Sequence, residues 1–199
     1  FYNKEKIKIP QEYFDLFNFF KKQAPNTRIA NLPQNSFWGW EFYKWGYGGS
    51  GFLWYGIEQP ILDRAFDPWS SHNENYYCEI SYALYSKNRE LFEKVLEKYQ
   101  INWLLVDENV INPSSSKALY FDEIRELLSS SKKISLAQEF GKIKIYKISG
   151  DAPVRDFVFL AQNLSTVSPV YKWNNYDQAY VDNGYYWSSP TDKLYYPFR

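Results

Sequence analysis

The stretch LFEKVLEKYQINWLLVDEN, residues 91–109, decides the fold. Its first half has the apolar spacing of a helix with one buried face, and Asn88 just before it is a suitable N-cap. That face is made by Phe92, Val95, Leu96 and Tyr99. Its second half, residues 101–106, is an almost continuous apolar run, which is typical of a strand covered on both faces. A helix followed at once by such a strand predicts an α/β fold with a parallel component.

Helices and strands alternate outward from this stretch. Apolar spacing predicts helices within residues 9–24 and 114–131, each with one apolar face, and residues 73–88 are also predicted to be helical. The buried positions expected in the first are Tyr13, Leu16, Phe17 and Phe20, and in the last Phe121, Ile124 and Leu128. TRIANLP, residues 27–33, is a short predicted strand, and two β-rich runs on either side of Gly141 predict a hairpin over 134–148.

The predicted architecture is a layered α/β fold with a mixed, partly parallel sheet. We expect one domain over residues 1–150, with the strand over 103–106 central. The crossover rule places the strands near Ile29 and Leu104 side by side or one apart. Residues 151–199 form a predicted extension, with one further strand within 152–165 and an irregular tail rich in Tyr, Asn and Pro.

Residues 34–72 form a long connection rich in Trp, Gly and Pro, with no sustained periodicity. It contains a G-x-G-x-x-G pattern at Gly46, Gly48 and Gly51, but its surroundings do not suit a nucleotide. A dinucleotide loop follows a buried strand and opens a helix, whereas Gly56 and Pro60 would interrupt a helix here. The glycines are better interpreted as backbone freedom between large rings, in an ordered loop.

Composition excludes several classes of function. The 23 basic and 23 acidic residues give zero formal net charge, which argues against a nucleic-acid-binding protein. Cys78 and His72 are the single cysteine and the single histidine, so neither an internal disulfide nor a metal site rich in these residues is possible. Catalysis through His72 is disfavoured, because a lone histidine in a polar segment is usually solvated. The sequence indicates no cofactor and no metal.

The aromatic content, with 8 Trp, 19 Tyr and 15 Phe, suggests where a ligand would bind. Ligands of open α/β sheets bind beyond the carboxyl ends of the strands, where the 34–72 loop and the end of the 101–106 strand are expected to meet. Rings and carboxylates together suit a polyhydroxylated ligand such as a glycan. The candidate binding residues are Trp38, Trp40, Tyr43, Trp45, Tyr47, Trp54, Asp107 and Glu108. The alternative is that Trp38, Trp40, Trp45 and Trp54 fold back into a small core beneath the loop.

A second group of acids could support glycoside hydrolysis, which uses two carboxylates about 5 to 10 Å apart. Its members are Glu58, Asp63, Asp67, Glu74 and Glu79. Arg64 can pair with Asp63 or Asp67, and Glu74 can favour a helix N-terminus, so structural roles are preferred and no catalytic residue is assigned. A glycoside hydrolase and a free-standing protein-interaction domain remain the alternative functions.

Three stretches together resemble the region after the last membrane spans of large multi-pass bacterial proteins similar to C-type glycosyltransferases. They are TRIANLP, then residues 91–111, then FGKIKIYKISGDAPVRDFVF over 140–159. The resemblance implies an extracytoplasmic location, a role in cell-surface glycan or lipid-linked sugar assembly, and the parent's transmembrane region as a partner. The catalytic acids of such proteins lie between membrane helices, so no catalytic residue is carried over to this chain.

The chain has no methionine, and no window approaches the roughly 20 apolar residues of a membrane helix. We therefore expect a piece of a longer protein whose membrane spans lie upstream of Phe1. The parent would be a membrane glycosyltransferase or a related protein, and this piece a non-catalytic domain on its outer face.

Overall fold

The computed structural model describes residues 7–34, 40–63 and 71–150, together with the backbone of 165–166 and 186–187. The described helices are α1 (Gln11–Phe20), α2 (Ser71–Tyr85), α3 (Arg89–Lys98) and α4 (Phe121–Ser130). The strands are β1 (Arg28–Leu32), β2 (Glu41–Tyr43), β3 (Gly48–Gly49), β4 (Ile61–Leu62), β5 (Ile101–Asp107), β6 (Val110–Ile111), β7 (Ile134–Phe140), β8 (Ile143–Ile148), β9 (Ser165–Thr166) and β10 (Tyr186–Trp187). Short 3-10 helices span Phe52–Tyr55 and Ser116–Leu119.

A five-stranded sheet with the order β4-β1-β5-β8-β7 organises these elements. Strands β4, β1 and β5 run parallel, whereas β8 is antiparallel to both β5 and β7. The predicted mixed sheet is confirmed, with β5 at its centre, β1 directly beside it and a hairpin formed by β7 and β8.

Two apolar cores cover the faces of this sheet. Helices α2, α3 and α4 pack on one face, where β1 and β5 contribute Ala30, Leu32, Leu104 and Val106. Helix α1 and the aromatic loop cover the other face, where the same strands contribute Ile29, Trp103 and Leu105. This double coverage explains why the β5 sequence is apolar at nearly every position.

The helix cap and the buried helix face predicted from the sequence are both present in the structure. The Asn88 side chain accepts a hydrogen bond from the backbone N–H of Leu91 at 3.0 Å, as expected of an N-cap. Tyr13, Leu16 and Phe20 are fully buried on α1, as predicted. None of the described helices is long and apolar enough to span a bilayer.

The loop over 34–72 has more regular structure than its sequence indicated. Its described part contains β2 and β3, which form a small antiparallel sheet with β6, and β4, which extends the main sheet. These strands have two or three residues each, too few for their alternation to be recognised in sequence. The strand predicted within 152–165 lies outside the described residues except for Ser165, which begins β9; the tail contributes β10, which pairs parallel with β9.

Candidate site at the carboxyl edge of the parallel strands

The small sheet places the aromatic loop against the end of β5. Strand β2 pairs with β6, which directly follows the turn after Asp107. The backbone N–H of Lys44 donates to the carbonyl of Asn109 at 2.9 Å, and its Nζ donates to the carbonyl of Glu108 at 2.7 Å. The loop and the acidic pair therefore meet at the sheet edge where the sequence placed them.

Tyr13 of α1 connects the loop to Asp107. Its hydroxyl donates to Asp107 Oδ2 at 2.7 Å and accepts from Trp45 Nε1 at 3.0 Å. The backbone N–H of Asn109 donates to Asp107 Oδ1 at 2.8 Å. Burial raises the pKa of Asp107 to about 6, although these hydrogen bonds lower it. This chain of contacts fixes the indole of Trp45 relative to the main sheet.

A second buried acid, Glu41 at the start of β2, lies beside this network. Its carboxyl group accepts from the Tyr43 hydroxyl at 2.6 Å and from Asn31 Nδ2 at 2.9 Å. Burial raises the pKa of Glu41 to about 8. Asn31 Oδ1 and Gln34 Oε1 are also buried here, with no hydrogen-bond partner among the described residues. Sequence analysis missed Glu41, because nothing in the run WEFY marks the acid as buried.

Aromatic rings fill the space above α1. Trp45 and Tyr47 stack with centroids 5.6 Å apart and planes 19° from parallel. Phe52 lies within 6.0 Å, centroid to centroid, of both rings and of Tyr13 and Tyr43. Phe52 and Tyr43 are buried, whereas Trp45 and Tyr47 are half-buried. The loop is therefore a packed layer of rings that exposes only part of its surface.

The predicted binding residues occupy different depths. Trp40 and Trp54 keep 50% and 45% of their surfaces exposed. Tyr43 and Asp107 lie in the interior, where they can support a ligand-binding surface from beneath but are not accessible to a ligand. Glu108 is partly exposed and lies 3.2 Å from Arg125 and 3.6 Å from Lys144. Trp38 lies outside the described residues. Of the residues in the small-core alternative, Trp45 is partly buried against the core, whereas Trp40 and Trp54 are about half exposed.

The acids proposed for hydrolysis differ in their surroundings within the described part of the chain. Glu58 is exposed, whereas Asp63 is partly buried, with a pKa that burial raises to about 7 and a hydrogen bond from Trp54 lowers. Glu79 forms a buried ion pair with Lys98. Arg64, Asp67 and the Glu74 side chain lie outside the described residues. No three His, Cys, Asp or Glu side chains converge as a metal-binding group among those described.

The glycines of the G-x-G-x-x-G pattern serve the packing of rings. Gly46 and Gly51 have φ angles of +95° and +68°, which favour glycine. Gly51 precedes the 3-10 helix, and the Trp54 ring lies where a side chain at Gly51 would project. The interpretation of these glycines as backbone freedom between rings is confirmed at both positions.

Comparison with solved structures identifies the fold. A cryo-EM structure of the arabinofuranosyltransferase AftD from mycobacteria matches 73% of this chain, with a TM-score of 0.59 and 13% identity, and the match covers 13% of that protein. The C-terminal globular domain of an oligosaccharyltransferase from Archaeoglobus fulgidus matches 71% of this chain and 99% of its own length, with a TM-score of 0.42 and 11% identity. No protein-family model and no curated protein matches the sequence. The resemblance to glycosyltransferase-like membrane proteins is confirmed at the level of the fold, which this chain shares with a region of a mycobacterial arabinofuranosyltransferase.

Proposed function

We propose that this chain is a non-catalytic, extracytoplasmic domain of a membrane protein that assembles cell-surface glycans or lipid-linked sugars. The observation that carries the proposal is the fold shared with a region of AftD. That region is a small part of a protein named for the transfer of arabinofuranosyl groups, so the role proposed here is an accessory one. A parent that transfers sugars would need such a domain to hold glycan or to position it near the membrane part.

The surface proposed to contact glycan is the aromatic loop. Trp40 and Trp54 offer exposed ring surface, and Trp45 and Tyr47 offer a stacked pair held in place through Tyr13. Sugar rings bind to aromatic faces because both have extended apolar surfaces, while polar groups nearby fix their orientation. Rings already ordered by packing lose little entropy on binding, which favours affinity.

Trp40→Ala is expected to weaken glycan binding about tenfold or more, a loss that corresponds to about 1.4 kcal/mol. Titration of intrinsic tryptophan fluorescence with arabinofuranose and mannose oligosaccharides measures this change. Because Trp40 is half exposed, the free energy of unfolding should change by less than about 1 kcal/mol.

Trp40→Phe is the control, since it retains a ring and should retain part of the binding. If Trp40→Ala instead destabilises the fold by about 3 to 5 kcal/mol without affecting any titration, the ring belongs to a core and the glycan assignment is wrong.

The isolated chain is expected to hydrolyse no member of a panel of aryl glycosides. Asp63 is partly buried and accepts a hydrogen bond from Trp54, which is consistent with a structural role. The measurement is release of the aryl group over pH 4–8. Hydrolysis that is abolished by Asp63→Asn or Glu74→Gln would support the glycoside hydrolase alternative instead.

A further inference from the structure

The outer side of α1 carries aromatic rings that the rest of the domain covers only in part. Phe14 is 44% exposed, and its ring makes an edge contact with Phe17 at 6.3 Å. The Phe17 ring lies against Gly56, at the end of the 3-10 helix that carries Trp54 and Tyr55. Tyr55 is 90% exposed. Phe14 and Phe17 of α1 thus lie beside Tyr55, which precedes Gly56 in the chain, and these three rings are here named the α1 patch.

Lysines extend this surface. Helical periodicity places Lys21 on the same stripe as Phe14 and Phe17, because the three residues are spaced i, i+3 and i+7. Lys22 follows it, and both lysines are exposed. Among the described residues, neither lysine has an acidic partner within 4 Å. The patch thus combines exposed rings with adjacent cationic groups that form no ion pair within the described part of the chain.

We propose that the α1 patch docks on the surface of an anionic lipid bilayer. Trp and Tyr rings favour the headgroup region, where one part of the ring is apolar and another can hydrogen-bond. Lysines next to such rings are attracted to anionic lipids, and this pairing of rings and basic groups is typical of surfaces that lie in the interface plane. The inference deepens the proposed function and rests on it, because it requires a location at a membrane face.

The choice of a bilayer over a protein partner follows from charge and chemistry. A protein partner would need acidic groups placed opposite Lys21 and Lys22, whereas an anionic bilayer offers negative charge to any arrangement of lysines. Docking by the patch would leave Trp40 and the half-buried Trp45–Tyr47 pair to contact glycan.

Sedimentation with vesicles tests the proposal on the full chain. At low salt, we expect binding to vesicles of phosphatidylcholine with about 30% phosphatidylglycerol. Binding to vesicles of phosphatidylcholine alone should be much weaker. Tyr55→Ser should reduce the bound fraction, whereas Tyr85→Ser should not, because Tyr85 is 71% exposed on α2, away from the patch.

The lysines provide a second matched comparison. Lys21→Gln with Lys22→Gln should weaken vesicle binding about fivefold for each lysine. Lys132→Gln with Lys133→Gln removes the same charge from another exposed pair and should have a much smaller effect. If the two double variants lose vesicle binding equally, binding depends on the net charge of the chain and not on the position of the lysines. That result would overturn the assignment to the patch.

Two further outcomes would overturn the proposal. One is the absence of binding to either vesicle; the other is self-association in the absence of lipid that Tyr55→Ser abolishes, which would assign the patch to a second copy of the chain. Glycan titration reports on the proposed function separately. A chain that binds oligosaccharide but no vesicle would refute only the lipid proposal, and a chain that binds vesicles but no oligosaccharide would refute only the glycan contact.

Discussion

Replacement of Glu41 with glutamine is expected to remove a large part of the dependence of stability on pH between about 5 and 8. Glu41 is buried at the carboxyl edge of the sheet, and burial raises the pKa of its carboxyl from 4.5 to about 8. Since one pKa unit corresponds to about 1.4 kcal/mol, the effect on unfolding amounts to several kcal/mol. Denaturant unfolding at pH 5.5 and at pH 8.5 measures it.

The sign follows from proton binding. Between pH 4.5 and about 8 the folded protein keeps the Glu41 proton while the unfolded chain releases it. Stability therefore falls as pH rises through this range, because the folded state binds more protons than the unfolded state. Burial raises the pKa values of Asp63 and Asp107 to about 7 and about 6, so these groups add to the same trend.

Glutamine is a suitable replacement because the surrounding groups can adapt to it. Its carbonyl can accept from Tyr43, as the carboxyl does, and its amide can donate to Asn31 Oδ1 if the Asn31 amide rotates. The rotation exchanges the Asn31 Nδ2 that now donates to Glu41 for the Oδ1 that has no partner among the described residues, so one hydrogen bond between the two side chains is kept. Glu41→Gln should consequently fold and be more stable than the wild type at pH 8.5.

The exposed Glu58 provides the control. Glu58→Gln removes one carboxylate of the same type and should leave the pH dependence of the wild type unchanged. If Glu41→Gln also retains that dependence, the buried carboxyl is ionised in the folded state, and the electrostatic description of this edge is wrong.

The main sheet could be predicted from sequence because its signals are local. Three signals carried the prediction: the apolar run of β5, the two β-rich runs around Gly141 and the cap at Asn88. Each of these signals is contained within a short segment of the sequence. Long periodic segments carry enough positions for their spacing to be distinguished from chance. The crossover rule then supplied the adjacency of β1 and β5.

The interior of the candidate site could not be predicted because its contacts are between distant positions. Tyr13 and Asp107 are 94 residues apart in sequence, and each had an ordinary interpretation: Tyr13 as a core residue of α1 and Asp107 as a strand end. The link from Trp45 through Tyr13 to Asp107 exists only once α1 packs on the sheet. Pattern analysis identified the rings and the acid, but not the hydroxyl that joins them.

A buried ion pair provides the other large expected effect: Lys98→Met should destabilise the fold by about 3 to 5 kcal/mol. Lys98 Nζ donates to both carboxylate oxygens of Glu79, at 2.7 and 2.9 Å, and joins the end of α3 to α2. Both side chains are at most 5% exposed. Methionine fills a similar volume, so the cost arises from the carboxyl of Glu79, which loses its charged partner away from water.

The double replacement of Glu79→Leu with Lys98→Met distinguishes this cause from a loss of packing. With both charges removed, two apolar side chains of similar size occupy the same space, and most of the lost stability should return. The pair Lys87–Glu126 is the matched control, since its Nζ to carboxylate distance is also short, 2.8 Å, but both side chains are about half exposed. Lys87→Met should leave the denaturation midpoint unchanged, because water solvates the remaining carboxylate. A double variant as unstable as Lys98→Met alone would show that the α2–α3 contact depends on packing by the lysine stem rather than on the ion pair.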